Sequence, residues 1–188
     1  TKSHGFRIPK CTTGCFHKRA PEYIPADLIE SFQPLISTIE DLTKRIKDLN
    51  RQINKLCKKY PETDKLLQVS GVGPVTATAF ILTLEDPHRF TKSRQVGAFL
   101  GLTPKRDQSG KSDKQLKISK AGNTYLRCLL VNCGHYILGP FGPESNLRKY
   151  GLSIAARGGK NAKKRAAVAV ARKLAVLLHR LWLSDKPY

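Results

Sequence analysis

Ten apolar residues, Leu28, Phe32, Leu35, Ile39, Leu42, Ile46, Leu49, Ile53, Leu56 and Tyr60, follow one another at alternating spacings of four and three. The mean step of 3.5 residues is that of a left-handed coiled coil and not of a globular helix face. With Leu28 at position d, Leu occupies every d, and Phe32, Ile39, Ile46, Ile53 and Tyr60 fall at a, an arrangement that favours two parallel strands. Pro34 falls inside the run and would kink or start a helix, so the spacing predicts a reliable helix over about 35–60. Such a stripe needs a partner. The chain has no second heptad run, which favours another copy over an antiparallel return within the same chain; both arrangements satisfy the pattern.

Charge narrows the choice of partners. Lys and Arg number 34 against 14 Asp and Glu in 188 residues, a formal net charge of +20. That surplus ill suits an enzyme of small neutral substrates and implies a polyanion, DNA or RNA before an anionic membrane surface. No apolar run approaches the roughly 20 residues of a spanning helix, and no signal peptide opens the chain. The length and a hydrophobic content of 40% suffice for one core with an extended appendage. The chain starts at Thr1 and has no Met, which reads as a fragment or a processed piece.

The five cysteines, Cys11, Cys15, Cys57, Cys128 and Cys133, are odd in number, and two lie on apolar helix-like stretches. Reduced thiols of a cytosolic protein are the reading. Cys11, Cys15 and His17 form CTTGCFH, which resembles half of a metal site without the second pair that zinc needs, so no metal is assigned.

The pattern divides the chain into a basic, irregular lead-in over 1–26, a coiled coil over 27–61 and a C-terminal domain over 62–188. No strand alternation or internal repeat is evident, and the predicted fold is mainly α. Within the last domain, Leu66 to Phe80 reads LLQVSGVGPVTATAF, which fits a helix-hairpin-helix element over about 64–82. Gly71 and Gly73 would allow a tight turn whose backbone N–H groups approach a phosphate, and Pro74 suits the first turn of the next helix. A plain αα-corner used for packing fits the same residues. Residues 90–100 predict a short helix capped by Thr91 or Ser93. A lysine-rich loop over 101–120 follows and carries Ser109. Ser119 to Asn123 reads as a helix start, with Ser119 as a cap candidate, Thr124 to Leu138 as a mostly buried helix, and Gly139 to Pro143 as a breaker.

The tail from Arg148 to Tyr188 carries eleven Lys or Arg against one Asp. It contains a predicted helix over about 160–183, with an apolar stripe of Val168, Ala171, Leu174, Ala175, Leu178 and Leu181. Lys163, Lys164, Arg165, Arg172 and Lys173 decorate its other faces, either as a solvated surface or as a phosphate-tracking one.

Chemistry is harder to place. None of the five histidines has a helpful spacing to Ser109, and Glu85-Asp86 is the only adjacent pair of carboxylates in this domain, too divergent on a helix end for a two-metal cage. What remains is Ser109 with Lys105, Arg106, Lys111, Lys114, Lys117, Lys120 and Arg127 close in sequence. Such cations could neutralise a phosphodiester and stabilise its transition state. The residues alone leave Ser109 open as nucleophile or solvated loop residue, with Ser112 and Ser119 as competitors.

Three blocks, LLQVSGVGPVTATAFI, DPHRFTKSRQVGAFLGLTPKRDQSGK and KISKAGNTYLRCLLV, resemble in order and wording the C-terminal domain of the insertion-sequence transposases of the IS110 and IS1111 group. The coiled-coil run and the upstream GFRIPK fit the same layout; the resemblance is weakest over 1–26 and beyond about 150. It implies an RNA-guided recombinase in which a RuvC-like domain holds Mg2+ through acidic ligands. A serine after GLTP, matching Ser109 in DQSGK, would attack DNA to give a phosphoserine link. It further implies DNA and a guide (bridge) RNA as partners, a dimer or tetramer built through the coiled coil, and a bacterial, nucleoid-associated cytoplasmic protein. The RuvC-like carboxylates are missing from this chain, so the resemblance implies that it binds nucleic acid and oligomerises but does not cut alone.

Overall fold

The computed structural model describes residues 5, 7–109, 112–184 and 188. The chain divides into two compact units, residues 1–55 and 56–188.

In the first unit, α1 (Thr13–Tyr23) is followed by α2 (Ala26–Cys57), whose last two residues belong to the second unit. The lead-in is therefore not irregular throughout. Phe16, Ala20 and Ile24 recur every four residues and pack with Ile8 on Leu28, Ile29, Phe32 and Ile36. Burial of this face tolerates Pro21 within α1. Nor does α2 begin at Pro34. It runs continuously through that residue, although an interior proline costs about 3 kcal/mol relative to alanine. Phe32 and Ile36 are anchored on either side of it, and the Thr38 hydroxyl donates to the Pro34 carbonyl at 2.8 Å.

Further along α2 the heptad stripe is bare. Leu35, Leu42, Ile46 and Leu49 are 52–60% exposed. Polar faces carry Glu40–Lys44 at 2.9 Å and an Asp48–Arg51 pair. The hydrogen bond and charge of Lys44 hold the Glu40 carboxyl below its ordinary value. The heptad ends with the helix: Tyr60 lies beyond Cys57 and packs on the core of the second unit.

The second unit is helical apart from one ribbon. Its order is α3 (Glu62–Leu67), α4 (Pro74–Leu84), a 3₁₀ turn (Pro87–Arg89), α5 (Arg94–Phe99), β1 (Pro104–Ser109), β2 (Ser112–Ile118), α6 (Thr124–Leu138), α7 (Asn146–Ala155) and α8 (Ala162–Leu183). The expected α6 is found with the same ends. Asn123, not Ser119, caps it, accepting from the Leu126 N–H at 2.9 Å, while the Ser119 N–H pairs with the Thr103 carbonyl.

The expected C-terminal helix is α8, and its buried apolar stripe makes it the centre of this unit while its basic residues stay on the other faces. Ala166, Ala167, Val170, Ala171, Leu174, Ala175 and Leu178 on α8 are solvent-free, and α3, α5, α6 and α7 all pack against it. Small residues set the closest crossings: a Cβ on Gly134 of α6 would stand 2.6 Å from the Ala167 carbonyl oxygen. Phe80, Leu84, Leu100, Leu126 and Leu130 complete the core. His179 on α8 is fully buried and fully partnered, with Nε2 at 2.8 Å from the Pro87 carbonyl oxygen and Nδ1 at 3.0 Å from Ser93 Oγ. Ser93 thus serves His179 and makes no side-chain cap on α5. Among the described residues no helix is long and apolar enough to cross a membrane.

Candidate functional site

Residues 104–118 form an antiparallel ribbon in place of the expected loop. Lys105, Arg106, Gln108 and Ser109 along β1 are all exposed, on both faces of the strand, so its sequence carries no apolar alternation to betray it. Pro104 pairs with Ile118, Arg106 with Gln115, Asp107 with Lys114 and Ser109 with Ser112. Two residues of β2, Leu116 and Lys117, stand opposite Lys105, a bulge near the root.

The root is held by the body. The backbone of Gly101 (φ +67°) and Gly122 (φ +71°) passes so close to 120–121 and to Phe99, respectively, that a Cβ at either would overlap main-chain atoms. The Leu102 N–H donates to the Gly97 carbonyl at 2.9 Å, and the Lys120 N–H to that of Gly101 at 3.1 Å. Across this crossing lies Arg127. It is buried, with Nη1 donating to the carbonyls of Leu100 (3.1 Å) and Ala121 (2.8 Å) and Nη2 to Thr124 Oγ1 (3.0 Å). Arg127, expected among the exposed phosphate-binding cations, is instead spent on the two chain segments from which the ribbon rises. Neutral acceptors bind a buried guanidinium only if they are numerous and well placed, as here.

Ser109 is exposed at the far end of β1. Lys105, Arg106 and Lys117 are exposed along the ribbon, and Lys120 at its root. Strand alternation over 106–109 puts Arg106 on the face opposite Ser109, so the fold does not gather all the expected cations about the hydroxyl. Lys114 is placed by its backbone opposite Asp107, and Lys111 lies outside the described residues.

The other expected sites are elsewhere in this unit. Helices α3 and α4 flank the turn 68–73, and a Cβ on Gly71 would stand 2.9 Å from the Tyr136 ring, so this glycine serves packing against α6. Gly73 has open space around it, directly before Pro74 at the start of α4. Lys163, Lys164 and Arg165 are exposed on the first turn of α8, with Arg165 Nη2 donating to the Gly158 carbonyl at 2.7 Å.

Of the carboxylates, Asp86 caps the 3₁₀ turn, accepting from the His88 N–H at 2.8 Å. Among the described residues no group of three His, Cys, Asp or Glu side chains could hold a metal ion, and the five cysteines are free thiols. Sequence reading missed the clamp residues Gly101 and Gly122; the signal was a glycine at each end of a polar stretch bounded by two helices.

The second unit is a body of helices that holds a two-stranded basic ribbon by its root. Residues 63–149, which span α3 to the start of α7, match the model of the Transposase IS116/IS110/IS902 family, and the chain belongs to that family. It is 32% identical to the transposase for insertion sequence element IS1111A of Coxiella burnetii over 134 residues, 71% of this chain and 36% of that protein. Over 68 residues it is 41% identical to a probable family 20 transposase of Pseudomonas aeruginosa, covering 36% of this chain and 20% of that one. It is also 26% identical to the pilin gene-inverting protein of Moraxella lacunata, over 65% of this chain and 37% of that protein. The chain thus spans about a third or less of the length of these curated relatives.

Proposed function

We propose that this chain is the DNA-binding and strand-transfer portion of an insertion-sequence transposase, with Ser109 as its nucleophile. The observation that carries this reading is an exposed serine held away from the body on a ribbon whose root is fixed by Gly101, Gly122 and Arg127, inside the family-matched segment. A rigid root limits the wander of the hydroxyl without burying it, as an approach to a bulky polymer phosphate requires.

In the proposed step Ser109 Oγ bonds to phosphorus, one phosphodiester P–O bond breaks, and the departing oxygen takes up a proton. The product is a DNA–phosphoserine diester. Lys105, Lys114, Lys117 and Lys120 on the ribbon and its root supply positive charge for the strand. The open backbone at Gly73 and the lysines opening α8 add contacts to the phosphate backbone that carry no sequence information. The described residues offer no metal cage, so the acidic, Mg2+-binding half of such a site falls to a separate domain of the whole transposase. The bare stripe of α2 would join copies of the chain as a coiled coil, and a guide RNA is part of the same reading.

Ser109→Ala in the whole transposase tests the proposal. The covalent protein–DNA adduct should vanish while DNA affinity stays within about threefold. An adduct that survives the substitution sinks the nucleophile and leaves a non-catalytic nucleic-acid-binding module as the better account.

A further inference from the structure

We propose that a groove between α5, α7 and α8 is a second nucleic-acid site, built for a stretch of unpaired strand. It encloses about 610 Å³, and no described residue of the ribbon lines it. Four cations reach it: Arg94 from the start of α5, and Arg172, Lys173 and Arg180 from α8. Among the described residues no Asp or Glu side chain lines it, and the sequence has none from Ser145 to Ser184. None of the three arginines forms an ion pair with a described carboxylate. Like charges assembled without counter-charges lower the stability of the fold, and an anionic ligand offsets that cost.

Two of the cations are steered. The Lys173 ammonium sits 3.8 Å from the centre of the Tyr150 ring, a cation–π contact that holds it at the groove wall. The Arg172 stem lies over Gly97, where a Cβ would stand 3.1 Å from Cγ. Spacing then favours a polymer over a free phosphate. Eight residues of helix set the backbones of Arg172 and Arg180 about 12 Å apart, and Arg94 enters from α5, a spread along the groove that suits a run of phosphates.

The lining between the cations includes Ala169, Val176 and Leu177. A duplex keeps its base faces stacked inside and gains nothing from an apolar lining, whereas the flat faces of unpaired bases can lie on it. Transient unpaired strand is what strand exchange produces, so the site extends the proposed function, yet it depends on no residue of the ribbon.

The test is fluorescence anisotropy of the intact 188-residue chain with a labelled single-stranded DNA, the RNA of the same sequence, and the corresponding duplex. Arg172→Gln with Arg180→Gln should raise the single-strand Kd at least tenfold. It should also flatten the slope of log affinity on log salt by about 1.4, two contacts at 0.7 each. Duplex Kd should move less than threefold. Whichever of the DNA and RNA strands binds tighter identifies the source of the strand. The control removes two charges elsewhere, Arg45→Gln with Lys47→Gln. Equal weakening by both pairs, an unchanged Kd and slope in the groove variant, or a wild-type chain that binds no single strand overturns the site. Arg180→Gln alone repeats the measurement if the double variant melts early. Ser109→Ala should leave single-strand binding unchanged, so loss of the adduct there and loss of binding here report on separate proposals.

Discussion

Two helices of this chain carry long apolar stripes, and the stripes meet opposite fates. On α8 the stripe is solvent-free and four helices pack on it. On α2, Leu35, Leu42, Ile46 and Leu49 lie open. The sequences differ in two physical respects. The α8 stripe includes Ala166, Ala167, Ala171 and Ala175, small enough for neighbouring backbones to come close. The α2 stripe uses Leu and Ile at strict 3.5-residue spacing, which suits a straight seam against another helix and not a curved globular face. An apolar stripe therefore predicts burial, while its period and side-chain size predict by what.

The sharpest way to break the comparison is to attack both stripes. Leu174→Ala removes solvent-free side-chain volume where collapse is blocked on several sides, and it should cost about 2–5 kcal/mol in denaturant unfolding of the chain. A loss below about 1 kcal/mol would mean that α8 is not the centre of the core. On α2, Leu42→Glu with Ile46→Glu should leave the unfolding of the second unit unchanged, because neither side chain is buried there. Sedimentation should report loss of self-association instead. If the wild-type chain sediments as a monomer at high concentration, the coiled-coil partner is not another copy.

Between these extremes lies the ribbon, whose first strand is exposed on both faces and whose root relies on the body. Arg127→Met would leave the Leu100 and Ala121 carbonyls without their donor, and a buried acceptor so stranded costs about 1–3 kcal/mol. Hydrogen exchange should quicken at Leu102, Ser119 and Lys120, whose N–H groups close the root. Unchanged exchange at those three amides would deny Arg127 its clamping role.

These regions also mark what sequence could and could not reveal. Helix α6 was readable to its ends because a polar, glycine-containing start and a terminator, Gly139, bound it, although its cap is Asn123 and not the expected Ser119. The long helix was readable from its period, although not its passage through Pro34, because the face that anchors it comes from α1. The ribbon was missed since a strand with no buried face has no alternation. Arg127 was misplaced for a related reason: nothing in a sequence tells a cation bound for phosphate from one that will find three acceptors inside. The proposal for Ser109 rests on resemblance, and the fold adds only its exposed place at the far end of β1.

The smallest expected effect contrasts two faces of one helix. Cys128 and Cys133 both lie on α6, the first exposed and the second buried against Thr76. Burial pushes the Cys133 thiol up, with the Thr76 hydroxyl opposing to a lesser degree. The folded protein then holds this proton more tightly than the unfolded chain does. That contribution to stability is complete below the ordinary thiol pKa of about 8.5 and is lost as pH rises through the higher folded value. Unfolding free energy should therefore decline above about pH 8.5, and decline less steeply in Cys133→Ala. At pH 8 a thiol reagent should modify Cys15 and Cys128 at least tenfold faster than Cys57 and Cys133. If Cys133 reacts as fast as Cys128, the α4–α6 side of the body opens readily, and the core that the α8 stripe shares is not sealed as the bare α2 stripe's counterpart should be.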